Sequence, residues 1–180
     1  MKRLPALIAC CILGFSLLTQ AGGRPGQVAI ASAHPAATVA GLETLAAGGN
    51  AFDAAVAVSA ALAVTEPYGS GLGGGGFFLL RKAGDKPAYH FLDAREKAPQ
   101  AATPDMYREQ PARSLDGALA AAIPGLPAAL ADLASRYGRL PLAASLAPAI
   151  RLAEDGFPVD RVYRERADWR LKALRADPES

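Results

Sequence analysis

Cysteine and histidine are nearly missing from this chain. Its only cysteines are Cys10 and Cys11, and its only histidines are His34 and His90. Both cysteines fall inside an apolar leader. Without the leader, the chain has no disulfide, no metal thiolate and no cysteine nucleophile. Neither histidine has the spacing of a metal ligand pair, and two isolated histidines do not make a Ser-His-Asp or Cys-His triad within this chain. His34 precedes a proline at a helix start and reads as a cap. His90 lies in a strand and reads as core packing.

Charge of one sign is also lacking. The formal net charge is +2, 20% of residues are charged, and lysine, arginine, aspartate and glutamate are interspersed. There is no basic tract and no alternation of basic and aromatic residues, which argues against a nucleic-acid partner. No apolar run reaches the length of a comfortable membrane span.

What is present begins with an export signal over residues 1–26. Met1-Lys2-Arg3 is a basic start, Leu4 to Leu18 is apolar apart from Ser16, and Ala21, Gly22 and Gly23 are small. Thr19-Gln20-Ala21 is the expected cleavage site, near Ala21. Leu7-Ile8-Ala9-Cys10 offers a second option, a lipoprotein anchor at Cys10. An uncleaved membrane anchor is a third. The product is expected to be periplasmic or secreted.

Residues 27–180 read as one domain, and 51% of the whole chain is hydrophobic. Gln27 to Ala33 reads as a short strand. Ala36 to Ala47 reads as a helix with Val39, Leu42 and Ala46 on its apolar face, closed by Gly48-Gly49. Asn50 and Asp53 form a capping-box pair before a helix over Ala51 to Thr65. That helix is apolar nearly all round, so burial on several sides is expected. Glu66-Pro67-Tyr68 should stop it. Two strands, Gly76 to Lys82 and Ala88 to Asp93, are joined through Gly84-Asp85-Lys86. Leu119 to Ile123 is expected as a third strand. Helices follow at 127–137, at 142–155 around Pro148, and at 160–176. A hairpin followed by helices points to an α+β class with an antiparallel sheet.

Two segments invite a chemical reading. In Ser70-Gly71-Leu72-Gly73-Gly74-Gly75-Gly76, five of seven residues are glycine. The spacing satisfies Gly-x-Gly-x-x-Gly, but a helix precedes it and a strand follows. That is the reverse of what dinucleotide binding needs. The remaining options are a close approach to a small ligand and a tight bend against the core. The second segment is Asp93-Ala94-Arg95-Glu96-Lys97, at the end of a strand. Arg95 can hold both oxygens of a carboxylate, or it can form a surface ion pair with Asp93 or Glu96.

Several stretches together resemble the γ-glutamyltransferase family, in the N-terminal part of its large subunit. They are His34-Pro35-Ala36-Ala37, Ala47-Gly48-Gly49-Asn50-Ala51-Phe52-Asp53-Ala54-Ala55-Val56-Ala57, Gly71 to Phe77 and Asp93 to Pro99. Ile123-Pro124-Gly125, Tyr137-Gly138-Arg139-Leu140-Pro141 and Ala153-Glu154-Asp155-Gly156-Phe157 extend the likeness in order. The resemblance implies an N-terminal-nucleophile hydrolase fold, an αββα sandwich of which residues 27–180 are an incomplete N-terminal part. It implies a proenzyme that cleaves itself into a large and a small subunit and needs no cofactor or metal. The substrates would be glutathione and other γ-glutamyl compounds, with water or an amino acid as acceptor. Arg95 matches the family arginine that binds the α-carboxylate of the γ-glutamyl group, with Asp93 and Glu96 holding its surroundings. The catalytic threonine is expected beyond Ser180, since Thr38, Thr44, Thr65 and Thr103 have no matching context. Other options are a related N-terminal-nucleophile acylase and a non-catalytic truncated product. In this light the glycine loop is the bend that feeds the first core strand and supports the site.

Overall fold

A computed structural model describes residues 28–176. The export signal expected at 1–26, with its expected cleavage site and Cys10, lies outside the described residues. The chain divides into two units, Met1–Ala31 and Ser32–Ser180. Of the first, residues 28–31 belong to no helix or strand. The strand expected over 27–33 therefore does not form among the described residues. A segment becomes a strand only by pairing, and none of the described ladders includes this one.

The second unit opens with α1 (Pro35–Ala46), α2 (Ala51–Thr65) and a single helical turn, α3 (Pro67–Ser70). Helix α2 stops at Thr65, as Glu66-Pro67-Tyr68 predicts, and Pro67 opens a separate turn. It sits at the first position of α3, where its missing N–H costs nothing. His34 caps α1, its Nδ1 accepting the Ala36 N–H at 3.1 Å. Asn50 and Asp53 form the full reciprocal capping box of α2.

The buried face of α1 is not the expected one. Ala37, Ala40, Gly41 and Thr44 are buried, while Val39 and Leu42 are exposed. The reason lies across the interface. Ala60 and Ala61 of α2 pack against Ala37 and Ala40, together with Ala149 of a later helix. Small residues on facing helices let the backbones approach closely, with Val58, Leu62, Leu146 and Leu152 packed around them. Helix α2 is buried on several sides, as its all-round apolar character predicts.

The sheet is a two-stranded antiparallel hairpin, β1 (Phe77–Lys82) and β2 (Ala88–Asp93), in register from Phe77↔Asp93 to Lys82↔Ala88. Its inner face carries Phe78, Leu80 and Leu92 onto Val56 of α2 and Leu126, Leu130 and Leu133 of α4 (Leu126–Tyr137). Its outer face, with Phe77, Leu79, Tyr89 and Phe91, is open to solvent. His90 is not core. It is exposed, with its ring 5.7 Å from that of Tyr137.

The strand expected over 119–123 is instead a 3₁₀ turn at Ala118–Ala120, followed by one bridge, Ile123↔Lys97. Pro124 removes the next backbone donor, so the ladder stops at a single rung. Two helices complete the unit, α5 (Leu142–Asp155), with Pro148 inside it, and α6 (Arg161–Ala176). No helix among the described residues is long and apolar enough to cross a membrane.

Candidate substrate-binding site

The glycine loop and the Asp93–Lys97 segment meet at the end of the hairpin. Gly76 extends the β ladder by one rung, exchanging hydrogen bonds of 3.2 and 3.0 Å with Ala94. Three residues on, Lys97 exchanges bonds of 3.1 and 2.9 Å with Ile123. Arg95 and Glu96 are thus held between two rungs on different partners. The Gly74 carbonyl accepts from both Gly125 and Leu126 N–H groups at 3.2 Å, closing the ring of loops.

The Arg95 N–H donates to Asp93 Oδ1 at 2.9 Å, which turns the chain as it leaves β2. Arg95 Nε lies 3.3 Å from Glu96 Oε2, and the guanidinium carbon is 6.0 Å from the Phe77 ring centre. Glu96 Oε2 is buried and makes no hydrogen bond among the described residues. The arginine side chain is 58% exposed, so this ion pair is screened and weak. The guanidinium makes no hydrogen bond among the described residues, which leaves its planar fork available to an anion.

A cleft of about 480 Å³ opens at Arg95. Asp93, Arg95 and Lys97 line one side. Ile123, Pro124, Gly125 and the first turns of α4 as far as Asp132 line another. The lining thus sets two cations, Arg95 and Lys97, and two carboxylates, Asp93 and Asp132, around apolar residues, a mix suited to a small zwitterionic molecule. Of the two options raised for Arg95, the ion pair with Glu96 is present, and the same residue borders a cleft. The glycine loop is partly exposed and lies at the edge of the core. It also delivers the chain into β1, as a bend feeding that strand would.

Two motifs combine in a way the sequence did not reveal. Asp53 is fully buried. Beyond its own cap it accepts the Arg139 N–H at 2.9 and 3.2 Å and the Leu140 N–H at 3.3 Å. Asn50 Nδ2 donates to the Tyr137 carbonyl at 2.7 Å. The Asn50–Asp53 pair thus holds the α4–α5 turn, which supports the helix forming the cleft wall. A capping box followed much later by Tyr-Gly-Arg-Leu-Pro gives no local sign of that pairing.

Comparison with known proteins places this geometry. The Gamma-glutamyltranspeptidase family model matches residues 37–180. A glutathione hydrolase proenzyme of Bacillus subtilis (strain 168) is 39% identical over 160 residues, covering 85% of this chain and 27% of that protein. A crystal structure of Helicobacter pylori gamma-glutamyltranspeptidase superposes with a TM-score of 0.80 at 36% identity, over 87% of this chain and 46% of that one. A cephalosporin acylase from Bacillus halodurans superposes with a TM-score of 0.69 at 34% identity, over 86% and 31%. The chain spans about a quarter of the length of the curated relatives it matches. These likenesses establish the α+β N-terminal-nucleophile hydrolase fold, in which this chain supplies helices and one hairpin. The chain belongs to the gamma-glutamyltranspeptidase family.

Proposed function

We infer that this chain forms the substrate-carboxylate side of an enzyme that cleaves glutathione and passes its γ-glutamyl group to water or an amino acid. The observation that carries this is Arg95, fixed between two backbone rungs beside a cleft, its guanidinium engaged among the described residues only in an exposed ion pair with Glu96. Its fork would hold the α-carboxylate of the γ-glutamyl group in two parallel bonds.

The nucleophile is a threonine outside residues 1–180, exposed when a proenzyme cleaves itself into a large and a small subunit. Its α-amine would serve as base for its own hydroxyl, giving an acyl-enzyme. Three of the four described threonines have structural duties, and Thr103 has no matching context, which supports an outside nucleophile. Thr44 and Thr65 bond back to helix carbonyls at 2.8 and 3.0 Å, and Thr38 pairs with Ser32. Export to the periplasm or medium follows from the basic-apolar-small pattern of residues 1–26.

A related acylase activity is the second reading, favoured by the likeness to the Bacillus halodurans protein. The experiment is hydrolysis of γ-glutamyl anilide against glutaryl anilide by the complete enzyme. The glutaryl compound is the same donor without its α-amine. Preference for γ-glutamyl supports the first reading. Equal or better turnover of glutaryl anilide supports the acylase.

A further inference from the structure

Gly75 and Gly125 come from separate loops, and both close on the peptide that carries Arg95. A Cβ on Gly125 would fall well inside contact distance of the Ala94 carbonyl oxygen, 2.7 Å from its carbon and 2.8 Å from the Arg95 oxygen. A Cβ on Gly75 would also collide with the Ala94 oxygen, and would lie 2.9 Å from both Arg95 Cα and Glu96 N. Every one of these atoms is backbone, so no side-chain rotation relieves the clash. Neither glycine has a positive φ. Left-handed backbone is therefore not what these positions require; room for the Ala94–Arg95 peptide is.

The geometry points to Gly75 and Gly125 as positioning residues for Arg95, fixing where its Cα sits and hence where its guanidinium meets the substrate. The assignment rests on the reading of Arg95 as the carboxylate clamp. The hydrogen bonds agree with it. Gly76 pairs with Ala94, and Gly74 receives the Gly125 and Leu126 N–H groups, so the two loops are tied to each other as well as to the arginine segment. A methyl group at either position forces the Ala94–Arg95 backbone outward. The displacement reaches the end of a long side chain, where an error of about 1 Å costs on the order of a hundredfold in rate.

The test uses the complete enzyme and two anilide donors, γ-glutamyl and 4-aminobutanoyl. The second lacks only the α-carboxylate. The measured quantity is the ratio of kcat/KM for the two donors in Arg95→Met, Gly75→Ala, Gly125→Ala and Gly48→Ala. Arg95→Met is expected to lower the ratio. Gly75→Ala and Gly125→Ala should lower it roughly tenfold or more, mainly through KM for the γ-glutamyl donor. Gly48→Ala, strained by a φ of +93° with nothing within 4 Å of its Cβ, should leave the ratio alone. If Arg95→Met lowers the ratio and the folded glycine variants do not, the positioning role fails while the clamp stands. If neither glycine variant yields folded enzyme, the role also fails, because the loops then serve the fold alone. If Arg95→Met leaves the ratio unmoved, the clamp itself falls, and the positioning role with it.

Discussion

The Asp53 carboxylate accepts the backbone N–H of Arg139, 86 residues away in sequence, at 2.9 Å. It also accepts those of Asn50 at 2.8 Å and Leu140 at 3.3 Å, with no exposure to solvent. Removing it leaves three donors short of a partner and takes away the tie between α2 and the α4–α5 turn. Asp53→Ala is expected to destabilise by roughly 3–4 kcal/mol, and Asp53→Asn by about half that, since one oxygen acceptor survives. Glu43 is the comparison. It pairs with Arg151 at 2.6 Å, but both side chains are about half exposed. Glu43→Ala should cost less than about 1 kcal/mol. Urea unfolding of the three variants checks the order, and equal losses at Asp53 and Glu43 would refute it.

That contrast also marks what the sequence makes legible. The α2 cap is local, and Asn50 and Asp53 disclose it within four residues. The hairpin is equally local, and its strands fall where the apolar runs place them. The buried face of α1 is not local. Val39 and Leu42 carry the hydrophobicity, yet the interface is made by alanines whose value depends on the alanines of α2 opposite. The strand expected at 119–123 fails for a similar reason: β propensity forms a ladder only with a partner, and Ile123 finds one rung, at Lys97. In the site, the 93–97 segment by itself leaves Arg95 open between a clamp and a surface ion pair, and only the family resemblance favours the clamp. The meeting of Arg95 with Gly75 and Gly125 depends on three loops converging, which no single stretch records.

Ser145 offers a change in the other direction. It is fully buried in α5, and its hydroxyl has no hydrogen-bond partner among the described residues. A hydroxyl shut away unpaired costs about 1–3 kcal/mol. Alanine keeps the helix, fits the same space and removes that cost. Ser145→Ala is expected to stabilise by roughly 1 kcal/mol, read as a higher denaturation midpoint at unchanged slope. A lower midpoint would mean that the hydroxyl is bonded in solution.

Arg95→Lys separates charge from shape. Lysine keeps the positive charge but presents a single ammonium in place of a planar fork. The variant should lose roughly 1.5–3 kcal/mol of donor binding, seen as a higher KM for γ-glutamyl anilide. Unchanged KM and kcat/KM would remove Arg95 from the site. Loss of kcat alone would point to a role at the reacting bond and away from the carboxylate.

The open face of the hairpin makes the last prediction. Phe77 and Phe91 stack with ring centres 5.5 Å apart, and Leu79 and Tyr89 flank them at 76% and 67% exposure. An apolar sheet face of this kind is normally covered, and in an αββα sandwich a second sheet covers it. Residues 22–180 produced alone should therefore bind a hydrophobic dye, associate and unfold without a sharp transition. Leu79→Ser with Phe91→Ser should reduce dye binding and association there. In the complete enzyme the same two residues are expected to be buried. Leu79→Ala should then destabilise by roughly 2–4 kcal/mol, the range for truncating a core leucine. A monomeric 22–180 segment with cooperative unfolding and no dye binding would show that the face needs no cover.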